Sequence, residues 1–276
     1  IAWARANMPA KFMNFSDYGR NNHDVYAFNE FTKGGFINTL GIREHWNDRS
    51  EKWVTLPEAG FLYALNDRTA ARAKISKGFR QPRFSELYLF PAHNELLEPE
   101  SVWSYEAALS HSITSWLATA VNPFYMDVKN LIQTVPNSSP PPASINRNSG
   151  KFVIKGIEAE IEARPLRSIS LSLNYTYTNI EDGPSGNRHV NRQGEPEHAV
   201  DADVRYSIGK MSVSAGARFV AGLYDSDLLA GGAIKRIDDF LVAGLKGSYR
   251  IHPNLDCFLG IENLLNADYE QLPGYP

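Results

Sequence analysis

The sequence lacks several features that mark common protein classes. Its 276 residues include one cysteine, Cys257, so an intramolecular disulfide and a cysteine-based metal site are both excluded. No run of 18 or more apolar residues occurs, and we therefore expect no transmembrane helix. The net charge of −3 supplies no basic field, so no nucleic-acid partner is expected.

Leader and catalytic motifs are also missing. Residues 1–15 lack a charged start, an apolar core and a small-residue cleavage site, so we expect a protein that is not exported or a chain that begins within a longer one. No nucleophile–His–Asp spacing, glycine-rich phosphate loop or metal-ligand motif occurs. The sequence therefore predicts no catalytic residues, no metal site and no resident cofactor, and the chain is expected not to be an enzyme.

What the sequence does contain is apolar–polar alternation with a period of two. In residues 168–179, Ile169, Leu171 and Leu173 fall on one face, while Ser170 and Ser172 fall on the other. This spacing indicates β-strands rather than helices. It predicts about twelve strands, at 24–32, 35–46, 52–65, 68–78, 101–112, 116–129, 150–163, 168–180, 197–208, 211–222, 234–250 and 255–264, with a thirteenth near 2–8.

The connections between these strands alternate in length. Short ones are expected near Gly34, Asp67, Thr114, Gly209 and Pro253, and at 164–167, and longer ones at 79–100, 131–149, 181–196 and 223–233, with a weaker member of the long set at 47–51. Short turns at one rim and long loops at the other are typical of bacterial outer-membrane barrels. Several strands exceed the usual length of strands in soluble sheets. The prediction is therefore an all-β, antiparallel transmembrane β-barrel.

Six segments resemble, in order and spacing, motifs of the barrel domain of TonB-dependent outer-membrane receptors. They are KISKGFRQPRFSELY at 74–88, EPESVWSYE at 98–106, NPFYMDVKNLI at 122–132, KGIEAEIEARP at 155–165, LSLNYTYT at 171–178 and IENLLNADY at 261–269. The resemblance covers about residues 35–276.

The resemblance implies that residues 1–276 are the C-terminal portion of one transmembrane β-barrel domain, with the family's plug domain and terminal strand absent. A family barrel of about 22 strands would make this chain a partial barrel of about 12–13 long meander strands. The implied function is uptake of a scarce ligand, an iron chelate such as a ferric siderophore, cobalamin or haem, across the bacterial outer membrane. The implied partners are that ligand, the membrane, the protein's own plug domain and TonB, and the receptor is expected to be a monomer.

Candidate ligand-binding residues are those cationic side chains that lie on the long loops, because most such ligands carry anionic groups. They are Arg80, Arg83, His93, Arg188 and His189. His93 lies between the sequences FRQP at 79–82 and NELL at 94–97. This layout resembles that of haem receptors of the family, in which a histidine between two such sequences ligates the haem iron. The polar strand faces are expected to point into the lumen, with Glu158, Glu160, Glu162 and Arg218 as the charged members.

Two other functions are compatible with parts of this pattern. A passive outer-membrane porin or channel would share the alternation and the aqueous lumen. A soluble all-β binding protein would share one apolar and one polar face.

Overall fold

A computed structural model describes residues 2–7, 19–49, 51–89, 91–137, 144–182, 194–227 and 233–271. Almost all regular structure in these ranges is β-strand, as the alternation predicts. The described residues include no helix that is long and apolar enough to cross a membrane.

The strands follow one another along the chain with a single short helix between them. They are β1 (Ala2–Asn7), β2 (Gly19–Lys33), β3 (Phe36–Asn47), β4 (Trp53–Asn66), β5 (Thr69–Arg80), β6 (Glu100–Ser112), β7 (Leu117–Pro136), β8 (Ser144–Leu166), β9 (Ile169–Asp182), β10 (His198–Ile208), β11 (Met211–Ala221), β12 (Tyr224–Asp227), β13 (Ala233–Arg236), β14 (Phe240–His252) and β15 (Leu255–Ile261). The helix is α1 (Phe84–Tyr88).

Thirteen of these strands form one sheet in the order β1 to β11, then β14 and β15. Seven of the pairs of adjacent strands in this order have a defined residue register, and all seven are antiparallel. Among the described residues, β1 and β15 each pair with one neighbour only. The predicted antiparallel meander of about 12–13 strands is confirmed.

The predicted alternation of connection lengths is also confirmed. Most of the short turns contain two residues between strands, as at Gly34 and Gly209, which both adopt positive φ values of 58° and 56°. Glycine adopts such left-handed φ values at little cost, which suits it to these two tight turns. The intervening connections are longer, and the one between β5 and β6 runs from 81 to 99.

The structure corrects the predicted strand at 234–250. Residues 233–236 belong instead to a separate hairpin of β12 and β13, and β14 begins at Phe240. The Asp239 carboxylate accepts a hydrogen bond from the Gly222 backbone N–H at 3.1 Å and lies 3.0 Å from the Arg236 guanidinium. These bonds hold residues 237–239 outside the ladder.

Two further boundaries differ from the sequence prediction. Strands β7 and β8 extend to Pro136 and back to Ser144, so much of the expected 131–149 loop is strand. The last strand ends at Ile261 because Asn263 adopts a left-handed φ of 48° and its side chain bonds both the N–H and the carbonyl oxygen of Ala267.

The described chain divides into two compact units, and five strands contribute to both. The first comprises residues 1–63, 72–106 and 125–153, and the second comprises 64–71, 107–124 and 154–276.

In the second unit, one face of the sheet is apolar and exposed to solvent. Across β9, β10, β11 and β14, Leu171 lies opposite Val204, Val204 opposite Ala215, and Ala215 opposite Leu245. The side chains of Leu171, Val204 and Leu245 are 36–45% exposed. A broad apolar face without a protein partner requires an apolar environment, and lipid supplies one for a transmembrane barrel.

The opposite face of the same strands is polar. Asp201 lies opposite Asn174 and Arg218, and Arg205 lies opposite Ser170 and Ser214. This distribution inverts the usual arrangement of a soluble sheet, in which the apolar face is buried and the polar face meets water.

A small apolar core of the second unit lies beside the β12–β13 hairpin. Its buried members are Val220, Leu223, Ile237 and Phe240, and Tyr269 packs on Phe240 with ring centroids 4.9 Å apart. The hairpin is thus attached to the ends of β11 and β14.

Candidate functional site

The candidate site lies in the first unit, where the chain between β5 and β6 folds over the strand ends as an ordered segment. We call the described residues 81–89 and 91–99 of this connection the rim segment. It contains α1, and Leu87 of that helix is fully buried. The long connection that the sequence predicts at 79–100 thus buries a leucine and contains a short helix.

Arg80 fixes the start of the rim segment to its end. The guanidinium Nε and Nη2 donate to the two Glu100 carboxylate oxygens at 2.6 and 2.5 Å, and Nη1 donates to Glu86 at 3.0 Å. Glu100 also accepts the backbone N–H of Ile132 at 2.8 Å. Bidentate guanidinium–carboxylate pairs define geometry as well as energy, so this trio sets the position of α1 relative to β5, β6 and β7.

Helix α1 is capped by the same carboxylate. Glu86 Oε2 accepts the Arg83 backbone N–H at 2.7 Å, which satisfies a donor at the first turn of the helix. Pro82 precedes this turn, and its carbonyl oxygen accepts a hydrogen bond from Arg20 at 3.0 Å.

Two asparagines of β8 hold the far half of the rim segment. Asn146 is buried, its N–H donates to the Ala92 carbonyl oxygen at 2.7 Å, and its carbonyl oxygen accepts from the Asn94 side chain at 2.8 Å. Asn148 bonds both the N–H and the carbonyl oxygen of Glu98, each at 2.8 Å. The backbone of Asn146 and the side chain of Asn148 thus take the place of a neighbouring strand for backbone that lies outside the ladder.

A chain of polar side chains links the rim segment to β2 and β3. The Asp24 carboxylate lies 2.7 Å from Nδ1 of His45, and Nε2 of His45 lies 2.7 Å from the Gln81 amide. Arg43 binds the same Asp24 oxygen at 2.8 Å. His45 is buried, so both ring nitrogens are satisfied within the protein.

The predicted ligand-binding residues have different surroundings. Arg80 is engaged by Glu86 and Glu100, which gives it a positioning role at the strand end. The side chains of Arg83 and His93 are exposed, and neither forms a hydrogen bond or ion pair with a described residue. Arg188 and His189 lie outside the described residues. Contact of any of the five with a ligand stays a prediction.

The predicted lumen-facing charges lie on the polar faces of their strands. Glu158 accepts a hydrogen bond from Asn122 at 2.9 Å, and Arg218 lies 3.8 Å from Asp201. Glu160 and Glu162 are exposed, and neither forms a hydrogen bond or ion pair within the described ranges. Their orientation toward a lumen stays a prediction.

The sequence argument missed Glu86, Glu100, Asn94, Asn146 and Asn148. The Asn-x-Asn spacing in β8 was the available signal, because positions two apart share a strand face. Which backbone groups these two asparagines bind depends on the position of the rim segment, and the local sequence does not show that position.

The chain belongs to the TonB-dependent receptor family. Residues 4–264 match the model of the family described as TonB dependent receptor-like, beta-barrel. The barrels of this family lie in the outer membrane of Gram-negative bacteria, which confirms the predicted location and fold class. Members are receptors and transporters, so the prediction that the chain is not an enzyme is confirmed as well.

Curated relatives support the same assignment. The chain is 21% identical to the vitamin B12 transporter BtuB of Photobacterium profundum over 98% of its own length and 43% of the transporter's. It is 25% identical to an uncharacterized TonB-dependent receptor of Haemophilus influenzae over 74% of this chain and 67% of that receptor. The chain thus spans less than half of the first relative.

Solved structures share the fold. The siderophore receptor PirA from Pseudomonas aeruginosa has a TM-score of 0.73 at 17% identity, covering 91% of this chain and 44% of PirA. The FrpB iron transporter from Neisseria meningitidis has a TM-score of 0.72 at 15% identity, covering 92% of this chain and 42% of FrpB. The copper transporter OprC has a TM-score of 0.74 at 16% identity, covering 91% of this chain and 42% of OprC.

Proposed function

We propose that the chain forms part of the wall of an outer-membrane receptor that binds a scarce ligand outside the cell and imports it with energy supplied through TonB. The observation that carries this proposal is the family match over residues 4–264, joined to a rim segment that is held by strand side chains and presents Arg83 and His93. A rigid scaffold with exposed cationic side chains is suited to recognition of an anionic ligand.

The ligand class follows from the relatives. Two are named for vitamin B12 and for a siderophore, and another is named a copper transporter. We propose a metal chelate or cobalamin as the transported ligand, with haem as the further member of the same group. The strand charges Glu158, Glu160, Glu162 and Arg218 would then face a plug domain in the lumen.

The decisive experiment measures uptake with and without the energy source. A deletion strain is supplied in turn with ferric siderophores, haem, cobalamin and copper at limiting concentration, and growth or isotope uptake is recorded. We expect loss of uptake of one of these ligands, restored by the full-length gene and abolished again by deletion of TonB. Uptake that persists without TonB would identify a passive channel instead.

A second experiment tests the loops. The double variant Arg188→Ala, His189→Ala is expected to weaken binding of the ligand identified above, because two cationic groups would be lost from the recognition surface. An unchanged affinity would remove the 181–196 loop from the site and leave the rim segment as the contact.

A further inference from the structure

The first unit contains a cavity of about 510 Å³ between the rim segment and the chain where β3 ends and β4 begins. Cationic side chains line one part of it, namely Arg20, Arg49, Lys52 and Lys77, and an apolar part is formed by residues such as Trp53 and Leu97. The volume lies within the range of roughly 300–1,000 Å³ typical of small-molecule sites.

Arg20 reaches this cavity with an incomplete set of hydrogen bonds. Nη1 donates to the Pro82 carbonyl oxygen at 3.0 Å, and the guanidinium lies 5.3 Å from the centre of the Phe84 ring. Its Nε is buried and finds no hydrogen-bond acceptor among the residues that the structure describes. A buried N–H without an acceptor is unfavourable, so Arg20 lies beside the cavity with hydrogen-bonding capacity that the described residues do not use.

The other cations leave positive charge at the cavity. Arg49 donates to the carbonyl oxygen of Glu95 at 2.5 Å and lies over the Tyr88 ring at 4.9 Å, and neither contact supplies a negative charge. The side chain of Lys77 forms no hydrogen bond or ion pair within the described ranges.

The carboxylates that line the same cavity are already engaged or exposed. Glu100 is held by Arg80, Glu98 lies 3.7 Å from the Lys52 ammonium, and the side chain of Glu95 is exposed. Arg20, Arg49 and Lys77 therefore form no ion pair at salt-bridge distance with a described carboxylate. The Asp48 carboxylate attracts Arg20 from farther away, whereas Arg49 and Lys77 are available to an external anion.

We propose that this cavity binds an anion that carries a phosphate or carboxylate group on an apolar body. Arg20, Arg49 and Lys77 surround the acidic group, since guanidinium and ammonium groups form charge-assisted hydrogen bonds with such oxygens. Trp53 and Leu97 contact the apolar part. This binding does not depend on the transport proposal, because it concerns a cavity beneath the rim segment and no step of import.

The anion has two available sources, a free molecule in the medium or the headgroup of a lipid beside the wall. The shared chemistry is an acidic oxygen group next to an apolar chain. Trp53, which is 57% exposed, provides an optical reporter at the cavity entrance.

The test titrates the protein, folded in a neutral detergent, with inorganic phosphate and separately with dodecyl phosphate. Tryptophan fluorescence is recorded, and the Trp53→Phe variant identifies the Trp53 signal. We expect saturable binding of both probes, at least tenfold tighter for dodecyl phosphate, and weaker for both when salt is added.

Two variants connect the signal to the cavity. Lys77→Met should weaken phosphate binding about tenfold without loss of folding, because Lys77 makes no bond within the described chain. Lys33→Met, the same exchange at an exposed site in the β2–β3 turn region, should leave binding unchanged. Equal affinities for Lys77→Met and the unmodified chain, or the absence of saturable binding, would overturn the proposal.

Phosphorus analysis after detergent exchange separates the two sources. Phospholipid retained by the unmodified protein and lost in Lys77→Met supports a lipid headgroup. Phosphate binding without retained lipid supports a free anion. Both results support the cavity as an anion site, whereas lipid retained equally by the two proteins counts against it.

Discussion

At the residue scale, Glu100 connects several parts of the candidate site. Its carboxylate receives two bonds from Arg80 and one from the Ile132 backbone, and the side chain is 10% exposed. Glu100→Gln places an NH2 group against one of these donors. We expect a loss of about 2–4 kcal/mol in the free energy of unfolding, because a donor and a charge are left without their partner.

The matched variant is Glu86→Gln, which alters the second carboxylate at Arg80. Glu86 is more exposed than Glu100, so water replaces part of the lost interaction, and about 1 kcal/mol is expected. Urea unfolding midpoints in detergent compare the two. A larger loss for Glu86→Gln would contradict the assignment of Glu100 as the central carboxylate.

Sequence reasoning identifies Arg80 but not its partners. Arg80 belongs to the Gly-Phe-Arg-x-Pro part of the 74–88 segment. Glu86 and Glu100 lie in the family-resembling segments 74–88 and 98–106, but nothing in those segments indicates that they pair with Arg80, and Asn146 lies outside them. Asn146 contacts backbone 60 residues away at Glu86, and no local pattern encodes such a contact. The exposure of Arg83 and His93 is easier to predict, because a charged or polar side chain on a long connection can be solvated by water and needs no contact with a distant residue.

At the scale of elements, the rim segment is expected to be more stable than a loop of its length. Asn146→Ala removes the side-chain bond to the Glu86 carbonyl oxygen, which also accepts the Asn94 N–H at 2.9 Å. Exchange of the Asn94 amide with deuterium should become about tenfold faster, which corresponds to about 1.4 kcal/mol of local opening. Asn179→Ala, which removes a half-buried side-chain bond in the second unit, is the control.

Strand faces give a second prediction at this scale. Spin labels at Leu171, Leu173 or Leu245, on the apolar face, should collide with lipid-soluble oxygen, and labels at Ser170 or Ser172 with an aqueous reagent. The period of two makes neighbouring positions internal controls for one another. Preferential contact of the leucine positions with the aqueous reagent would refute the membrane orientation.

The elements show where alternation is informative and where it is not. Period-two patterning located the strands of the large sheet because half of each strand faces an apolar environment. It failed at the β12–β13 hairpin, since these four-residue strands are too short to show a period. It also failed at α1, a helix of five residues.

At the scale of the whole molecule, alternating connection lengths assign the two ends of the strands to opposite sides of the membrane. We expect an epitope tag near Pro141 in the full-length protein to be accessible on intact cells and one near Gly209 to be accessible only after permeabilisation. The physical reason is that long loops occupy the cell exterior in outer-membrane barrels and short turns the periplasm. The reverse pattern would invert the topology.

The lone cysteine offers a practical consequence of the last strand pair. Cys257 is exposed and lies opposite Tyr249 on the apolar face, and the sequence contains no second thiol. A maleimide dye can therefore be attached at one defined point without any mutation. Quenchers fixed at known depths in a bilayer would then report how deeply β15 has inserted into the bilayer during assembly. Insertion of this part of the sheet could thus be followed by fluorescence.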